Sequence, residues 1–405
     1  MLDKTKRSTR KQRIPMPIVN RVADLQPDIQ AWRRDIHENP ELLYEVHRTA
    51  AFVADRLREF GCDEVATGLG KTGVVGVIKG KQPGKGEIKV IGLRADMDAL
   101  PIEEATNLPH ASKTPGLMHA CGHDGHTAML LGAARYLAET RNFAGDAVVI
   151  FQPAEEGGAG ADAMIKDGLM DRFGIEQVYG MHNGPGIPVG SFAIRSGPVM
   201  AATDSIDITI EGLGGHAARP NKCIDSVLVG SQLITALQSI VSRTIDPLDS
   251  AVISICEFHA GNARNVIPQT AELHGTVRTL TPEVRETVAR RVREVCEGVA
   301  KMTGAKIDLV YERGYPVTKN HAEQTEFATQ VARDVAGAQN VHDMPPLMGA
   351  EDFAYMLEAR PGAFIFCGNG DSAGLHHPAY DFNDEAIVYG TSYWIKLVEN
   401  KLAAA

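Results

Sequence analysis

Short apolar segments that alternate with helical patterns constrain the fold of this chain most. Four of them have the composition of strands buried on both faces, since each is bounded by glycine, proline or charge: 88–94, 146–151, 177–181 and 363–367. Residues 125–139 repeat apolar side chains at the spacing of one helix face. This alternation predicts an α/β fold, in which helices cover a mostly parallel sheet on both sides.

A different order of elements occupies residues 199–310. The pattern there predicts strand, helix, strand, strand, helix and strand, at 206–211, 222–243, 251–258, 271–279, 282–303 and 306–312. This is the ferredoxin-like order. We therefore predict an inserted ferredoxin-like α+β domain at 199–310, and a larger α/β domain built from 19–198 and 311–405. The length of 405 residues favours two domains, because single cores stop growing at roughly 250 to 300 residues.

Charge and cysteine content narrow the function classes. Lysines and arginines crowd into residues 1–18, but no apolar stretch follows them, so we predict a disordered basic tail, with a functional tail as the alternative. The net charge of −10 argues against nucleic acid as a partner, and the absence of a run of about 18 apolar residues argues against a membrane span. Six scattered cysteines without a CxxC pair suit reduced thiols and predict a cytoplasmic protein.

Acidic residues and histidines follow each of the four predicted strands. In open parallel sheets, ligands bind outside the carboxyl ends of the strands. The side chains found there are Asp96 and Asp98, Glu155 and Glu156, His182, and, one loop later, His376 and His377. The stretch 119–126 (HACGHDGH) adds a Cys-x-His turn at the start of a predicted helix. The sequence therefore predicts that metal-binding side chains converge on one edge of the sheet.

Each of these residues also has an ordinary interpretation. His182 could be a satisfied core histidine, Asp124 a helix cap, Glu155 and Glu156 a solvated pair, and Cys121 a small buried hydrophobe. Their joint occurrence at four strand ends favours a metal site. Thiolate, imidazole and carboxylate together suit Zn, Mn, Co or Ni better than Ca or Mg. Five or six donors exceed one catalytic site, so we predict two metal ions, which can share a hydroxide and polarise a carbonyl.

The adjacent pair Glu155 and Glu156 indicates the chemistry. Successive side chains of an extended segment point to opposite sides, so we expect one carboxylate to bind metal and the other to remain free. A free carboxylate beside metal-bound water can take its proton and deliver it to a leaving amine. The pair therefore predicts hydrolysis of an amide or a related bond.

Eight motifs, spread in order over residues 20–400, resemble the M20 metallopeptidase family. They are similar to its aminoacylase branch, which includes hippurate hydrolases and the plant indole-acetyl-amino-acid hydrolases. The motifs are 94–101 (RADMDALP), 118–126 (MHACGHDGH), 152–157 (QPAEEG), 180–182 (GMH), 214–218 (GGHAA), 265–268 (NVIP), 349–353 (GAEDF) and 375–378 (LHHP).

The resemblance implies a role for each residue of the site. It makes Glu155 the catalytic base. It makes Asp98 a residue that orients a metal ligand without binding the metal itself. It assigns two divalent transition-metal ions to five ligands: Cys121, His123, Glu156, His182 and His376. Where peptidase relatives begin an HxD motif with histidine, this chain has Asp96, as the aminoacylase branch does.

The resemblance also extends to the inserted domain: it implies that 199–310 form a lid or dimerisation domain and that 19–198 and 311–405 form the catalytic domain. It implies a homodimer or dimer-based oligomer in which His216 reaches the partner's active site and stabilises the oxyanion, with help from Asn265. Arg278 would clamp the substrate carboxylate, the alternative being a solvated strand residue. The loop at 219–226 departs from the branch next to the expected substrate pocket.

The activity implied is hydrolysis of N-acyl or N-aroyl amino acids to a carboxylic acid and a free amino acid. A dipeptidase, or an aminohydrolase acting on another small amide or amine, would use the same machinery. A non-catalytic metal-dependent binding protein is the alternative from another class. The presence of Glu155 argues against it, because binding alone does not need a base.

Overall fold

A computed structural model describes residues 19–84 and 86–404 of the chain. The basic tail predicted at 1–18 lies outside the described residues. Within the described ranges, no helix is long and apolar enough to cross a membrane.

Strands and helices are numbered here in chain order. The strands are β1 (Glu64–Leu69), β2 (Gly73–Lys79), β3 (Val90–Asp96), β4 (Asp146–Gln152), β5 (Gln177–Pro185), β6 (Phe192–Ala193), β7 (Gly197–Met200), β8 (Ala202–Glu211), β9 (Gly215–His216), β10 (Ala251–Ala260), β11 (Val266–Ile267), β12 (Thr270–Thr279), β13 (Lys306–Arg313), β14 (Thr318–Asn320), β15 (Val341–His342) and β16 (Gly362–Gly370). The α-helices are α1 (Asn20–Glu38), α2 (His47–Phe60), α3 (His123–Thr140), α4 (Glu155–Gly158), α5 (Gly160–Lys166), α6 (Leu169–Arg172), α7 (Ser226–Arg243), α8 (Pro282–Thr303), α9 (Ala322–Ala336), α10 (Phe353–Ala359) and α11 (Ile387–Lys401).

The larger sheet has eight strands in the order β1-β2-β4-β3-β5-β16-β6-β15. Its four central strands, β4, β3, β5 and β16, run parallel, whereas β1 and β2 pair antiparallel with their neighbours and β6 runs antiparallel to β16. The predicted α/β fold is confirmed, with a sheet that is parallel at its centre and mixed at its edges. Each of the four strands predicted from apolar composition lies in the parallel centre.

Both faces of the larger sheet are buried. Successive side chains of a strand point to opposite sides, so a single strand contributes to the core on each face. In β4, Val149 and Phe151 pack in a core that includes α1, α2, α3, α9 and α11. Val148 and Ile150 of the same strand pack in a second core with α5, α6 and α10. Helix α3 lies deep in the first core, with nearly all of its residues buried. This burial explains why the central strands read as continuous apolar runs.

The parallel centre brings the ends of all four predicted strands together. Asp96 at the end of β3 pairs with Gln152 at the end of β4, and Phe366 of β16 pairs with His182 of β5. Carboxyl ends of parallel strands meet at one edge, so the residues that follow them share one space.

A smaller antiparallel sheet has the order β10-β12-β8-β13, and α7 and α8 pack against it around a separate core. The predicted order of strand, helix, strand, strand, helix and strand is confirmed by β8, α7, β10, β12, α8 and β13. The helix predicted from residue 222 begins instead at Ser226. Asp225 caps it by accepting hydrogen bonds from the backbone of Val227 and Leu228. The boundaries 199–310 stay a prediction, and β13 runs on to Arg313.

Candidate metal centre

The five predicted ligands lie together at the carboxyl edge of the larger sheet. Cys121 and His123 flank the start of α3, Glu156 lies in α4 after β4, His182 lies in β5, and His376 follows β16. Their donor atoms form two groups of three that share Cys121: Cys121 with His123 and His182, and Cys121 with Glu156 and His376. Within each group, the donor atoms lie within 4.8 Å of one another.

Individual distances place the donors around a common space. Cys121 Sγ lies 3.4 Å from His182 Nε2. Glu156 Oε1 lies 3.2 Å from His376 Nε2 and 3.9 Å from His123 Nε2. Cys121, His123 and His182 are buried, whereas His376 is exposed. The cluster is thus closed toward the core and open to solvent on the side of His376.

A glycine makes the turn between the first two ligands possible. Gly122 has a φ of 85°, a conformation that favours glycine, and an added Cβ would collide with the side chains of Asn183 and Tyr380. The side-chain amide of Asn183 also donates a hydrogen bond to the carbonyl oxygen of Cys121, at 2.6 Å. This close packing fixes the Cys-x-His turn at the start of α3.

His376 reaches the cluster through a loop that folds back onto the same turn. Its backbone adopts a φ of 63°, and its N–H donates a hydrogen bond to the carbonyl oxygen of Ala120, at 2.8 Å. The chain after β16 therefore lies against the segment that carries Cys121.

Backbone carbonyls orient two of the imidazoles. Nδ1 of His123 lies 2.8 Å from the carbonyl oxygen of Asp98, and Nδ1 of His182 lies 2.7 Å from that of Asn183. A carbonyl only accepts, so each Nδ1 carries a proton and each Nε2 is the ring nitrogen left to face the cluster. Burial holds the pKa of His182 well below its ordinary value, which keeps this ring neutral.

The donor set fits a divalent transition metal. Nε2 of His123 is buried without a hydrogen-bond partner among the described residues, and such an atom is costly unless a ligand engages it. Although burial lowers it, the Asp96 carboxylate and the Cys121 sulfur raise the pKa of His123 well above its ordinary value. The position therefore favours positive charge, which a bound cation would supply.

The segment that carries Glu155 and Glu156 is not extended, so the premise behind their predicted divergence is wrong. Ala154 adopts a φ of 55°, and Glu155–Gly158 form a short irregular helical turn. The two carboxylates nevertheless have different surroundings. Glu156 faces His376, whereas an oxygen of Glu155 accepts a long hydrogen bond from the backbone N–H of Asp352, at 3.4 Å.

Glu155 is a buried carboxylate beside the donor cluster. One of its oxygens lies within 4.8 Å of donor atoms of both His123 and Glu156. Burial, together with the nearby carboxylates of Glu351 and Glu156, raises the pKa of Glu155 well above its ordinary value. A carboxyl group beside metal donors is in a position to exchange a proton with metal-bound water.

Asp98 links the two halves of the cluster. Its carboxylate accepts hydrogen bonds from the backbone N–H groups of Glu155, at 3.0 Å, and of Glu156, at 3.1 Å. Its carbonyl oxygen is the partner of His123 Nδ1. One residue thus orients an imidazole of the cluster and the turn that presents both glutamates.

A buried ion network behind Glu155 was not assigned from the sequence. The guanidinium of Arg94 lies 2.7 Å from Asp96 and 3.0 Å from both Glu351 and Asp352, and it donates to Gln152 at 2.8 Å. All five side chains are buried. Glu351 and Asp352 belong to the motif GAEDF, but only the fold brings that motif beside β3.

The contacts of two further residues of the stretch 119–126, His126 and Asp124, differ from what the sequence suggested. His126 Nδ1 lies 2.6 Å from Asp96, in a further group of potential donors with His123. Asp124 does not cap α3 with its side chain, and its carboxylate instead lies 2.8 Å from His37 Nδ1 in the core.

The Arg94 network yields a stability prediction. Arg94→Met would leave the carboxylates of Asp96, Glu351 and Asp352 buried without their cation, so we expect the free energy of unfolding to fall by about 3–5 kcal/mol. Urea denaturation measures this. Arg172→Met removes an exposed pair with Glu64 and is the matched control, expected to leave stability nearly unchanged. Equal stability of the two variants would contradict the assigned role of the network.

The three residues predicted to act from the lid make their hydrogen bonds within the inserted domain. His216 is exposed in β9, and the carbonyl oxygen of Asn265 accepts a hydrogen bond from the backbone of Ala217, at 3.1 Å. Arg278 donates to Thr276 within β12, at 2.7 Å. Among the described residues, no hydrogen bond or ion pair joins His216, Asn265 or Arg278 to a ligand of the cluster. Their roles stay predictions.

Comparison with known proteins identifies the family. Residues 92–400 match the model of peptidase family M20/M25/M40. The chain is 45% identical to a hippurate hydrolase of Campylobacter jejuni over 387 residues, which cover 94% of this chain and 98% of the relative. It is 42% identical to an N-acetylcysteine deacetylase of Bacillus subtilis, over 90% of this chain and 94% of the relative.

A solved structure agrees. A dinuclear metal-binding peptidase of the M20 family from Bacillus subtilis superposes with a TM-score of 0.81 at 36% identity, over 95% of this chain and 100% of that one. The resemblance drawn from the eight motifs is confirmed. The chain belongs to peptidase family M20/M25/M40.

Proposed function

We propose that this protein is a metal-dependent amidohydrolase that cleaves the amide bond of N-acyl or N-aroyl amino acids, giving a carboxylic acid and a free amino acid. One observation carries the proposal: the buried carboxyl group of Glu155 stands beside two groups of metal donors that share Cys121. A base next to metal donors is the arrangement that amide hydrolysis needs.

Two divalent transition-metal ions, of the class of Mn, Zn, Co or Ni, fit the donors Cys121, His123, Glu156, His182 and His376. When bound, they polarise the amide carbonyl and lower the pKa of water. A site that mixes one thiol with imidazoles and a carboxylate is poorly suited to Ca or Mg, which prefer oxygen donors.

Glu155 moves the proton in this mechanism. It takes a proton from the attacking water and gives it to the nitrogen of the leaving amino acid. Burial, which raises its pKa, favours the protonated state that the second step requires. Asp98 holds the turn on which Glu155 lies, through the backbone N–H groups of both glutamates.

The names of the relatives support this substrate class. The hippurate hydrolase and the N-acetylcysteine deacetylase are each matched over nine tenths or more of both chains. We infer that the present enzyme acts on small amides of the same kind.

The inserted domain completes the proposal. His216 and Asn265 would stabilise the oxyanion, and Arg278 would bind the α-carboxylate, in a homodimer whose lid closes over the partner's site. Exposure of His216 and of Leu228 on α7 supports a role for this domain in contacts outside its own chain. Free thiols at all six cysteines support a reducing, cytoplasmic compartment.

A substrate panel tests the proposal. The enzyme, reconstituted with Mn, Zn, Co or Ni, is assayed for free amino acid released from N-acetyl, N-benzoyl and indole-acetyl amino acids and from dipeptides. We expect turnover of the acylated substrates that a chelator abolishes and added metal restores. Turnover of dipeptides alone would overturn the proposal in favour of a peptidase.

A further inference from the structure

An apolar pocket of about 630 Å³ adjoins the metal centre. Two of its lining residues are chain neighbours of predicted ligands, since Asn183 follows His182 and Leu375 precedes His376. Phe366, another lining residue, pairs with His182 across β5 and β16, with the two ring centroids 6.0 Å apart. The pocket therefore opens beside the place where the scissile amide would lie.

Apolar side chains from several separate segments form this pocket. Ile187 follows β5, Met344 and Leu347 follow β15, and Phe366 lies in β16. Leu347 and Leu375 are 38% and 37% exposed. Exposure of large apolar side chains to water is unfavourable, and a ligand in the pocket would reduce it. Exposed apolar surface in a concave site is characteristic of ligand binding.

The charge of the lining indicates which half of the substrate enters. The described residues that line the pocket include no arginine or lysine, and their two titratable side chains, His342 and Asp343, are neighbours in the chain, so a carboxylate accompanies the imidazole. An N-acyl amino acid carries its negative charge on the amino-acid side of the amide and none on the acyl side. Burying the α-carboxylate beside Asp343 without an arginine or lysine to pair with it would be costly, so the uncharged acyl group is the half that fits.

The size of the pocket selects among acyl groups. The cavity has a volume of about 630 Å³, and an acetyl group offers only one methyl group to its apolar lining. An aromatic acyl group offers much more apolar surface, since aromatic side chains of proteins bury roughly 150–250 Å² in apolar surroundings. We propose that this pocket receives the acyl group and makes the enzyme prefer aroyl and other bulky acyl groups to acetyl. The inference rests on the proposed function and narrows its substrate class.

The test compares N-benzoyl and N-acetyl derivatives of one amino acid. We expect kcat/KM for the benzoyl substrate to be higher by about tenfold or more. Met344→Trp would fill the pocket, so we expect it to lower the ratio of kcat/KM for the benzoyl substrate to kcat/KM for the acetyl substrate by about tenfold or more. Met302→Trp makes the same change at an exposed position near the end of α8 and is the matched control.

The outcomes separate this inference from the proposed function. Equal or higher kcat/KM for the acetyl substrate, or an unchanged benzoyl preference in Met344→Trp, overturns the acyl pocket while amide hydrolysis stands. A shift in amino-acid preference at constant acyl group would assign the pocket to the amino-acid side chain and also overturns it. If Met344→Trp loses both activities, Leu347→Ala decides, and an unchanged benzoyl preference in that variant overturns the inference. No turnover of any acylated amino acid refutes the proposed function itself.

Discussion

Glu155→Gln is expected to retain its metal and to lower kcat by about a thousandfold. Glutamine keeps the size of the side chain but cannot take the proton of water, and general acid–base groups contribute roughly 10²–10⁴ in rate. The metal donors remain, because Glu156 rather than Glu155 faces His376 and Cys121. Steady-state kinetics on an N-acyl amino acid and elemental analysis of the purified variant measure the two effects.

Two further Glu→Gln substitutions show whether the effect at Glu155 is specific to a base. Glu156→Gln is expected to lose metal as well as activity, since Glu156 belongs to a donor group with Cys121 and His376. Glu326→Gln, on the exposed face of α9, is expected to behave as wild type. Wild-type turnover in Glu155→Gln would refute the assignment of the base, and loss of metal from it would make Glu155 a ligand.

Cys121→Ala is expected to remove the metal and reduce activity by about a hundredfold or more. The Cys121 sulfur is the one donor common to both groups, so its loss weakens both positions at once. Changes to residues behind metal ligands already cost about 10–100-fold in affinity or activity, and removal of a direct ligand should cost at least as much. Metal content after dialysis, measured by mass spectrometry, checks this result.

The control for that experiment is another cysteine of the same chain. Cys223 lies in the inserted domain, half-buried, and the described contacts do not join it to the donor cluster. Cys223→Ala should therefore keep full metal content. Equal metal content in Cys121→Ala and Cys223→Ala would contradict the shared-donor arrangement.

The central sheet and the ligand cluster could be predicted from sequence because their signals are local. Apolar runs marked β3, β4, β5 and β16, and the rule that ligands bind at carboxyl ends then pointed to the residues after them. Cys121 and His123 lie in one short motif. The prediction needed no knowledge of which strands are neighbours.

Features that depend on tertiary contacts could not be read in the same way. Arg94 and Asp352 form an ion pair across 258 positions of sequence, and no local pattern pairs them. The left-handed conformation of Ala154, which turns the glutamates away from an extended path, is occupied by a residue with no preference for it. The start of α7 was misplaced because Asp225, a cap with a clear physical role, lay inside an otherwise continuous helical pattern.

As a proposed metal ligand, His376 would tie metal binding to the completion of folding through its position in the chain. Cys121, Glu156 and His182 precede the inserted domain, whereas His376 is reached only after that domain and most of the second catalytic segment have been made. Closing so long a loop is slow. During synthesis the earlier donors are made well before the segment that carries His376 emerges. A metal bound by the full donor set then stabilises only the finished chain, so truncated or misassembled chains lack this stabilisation.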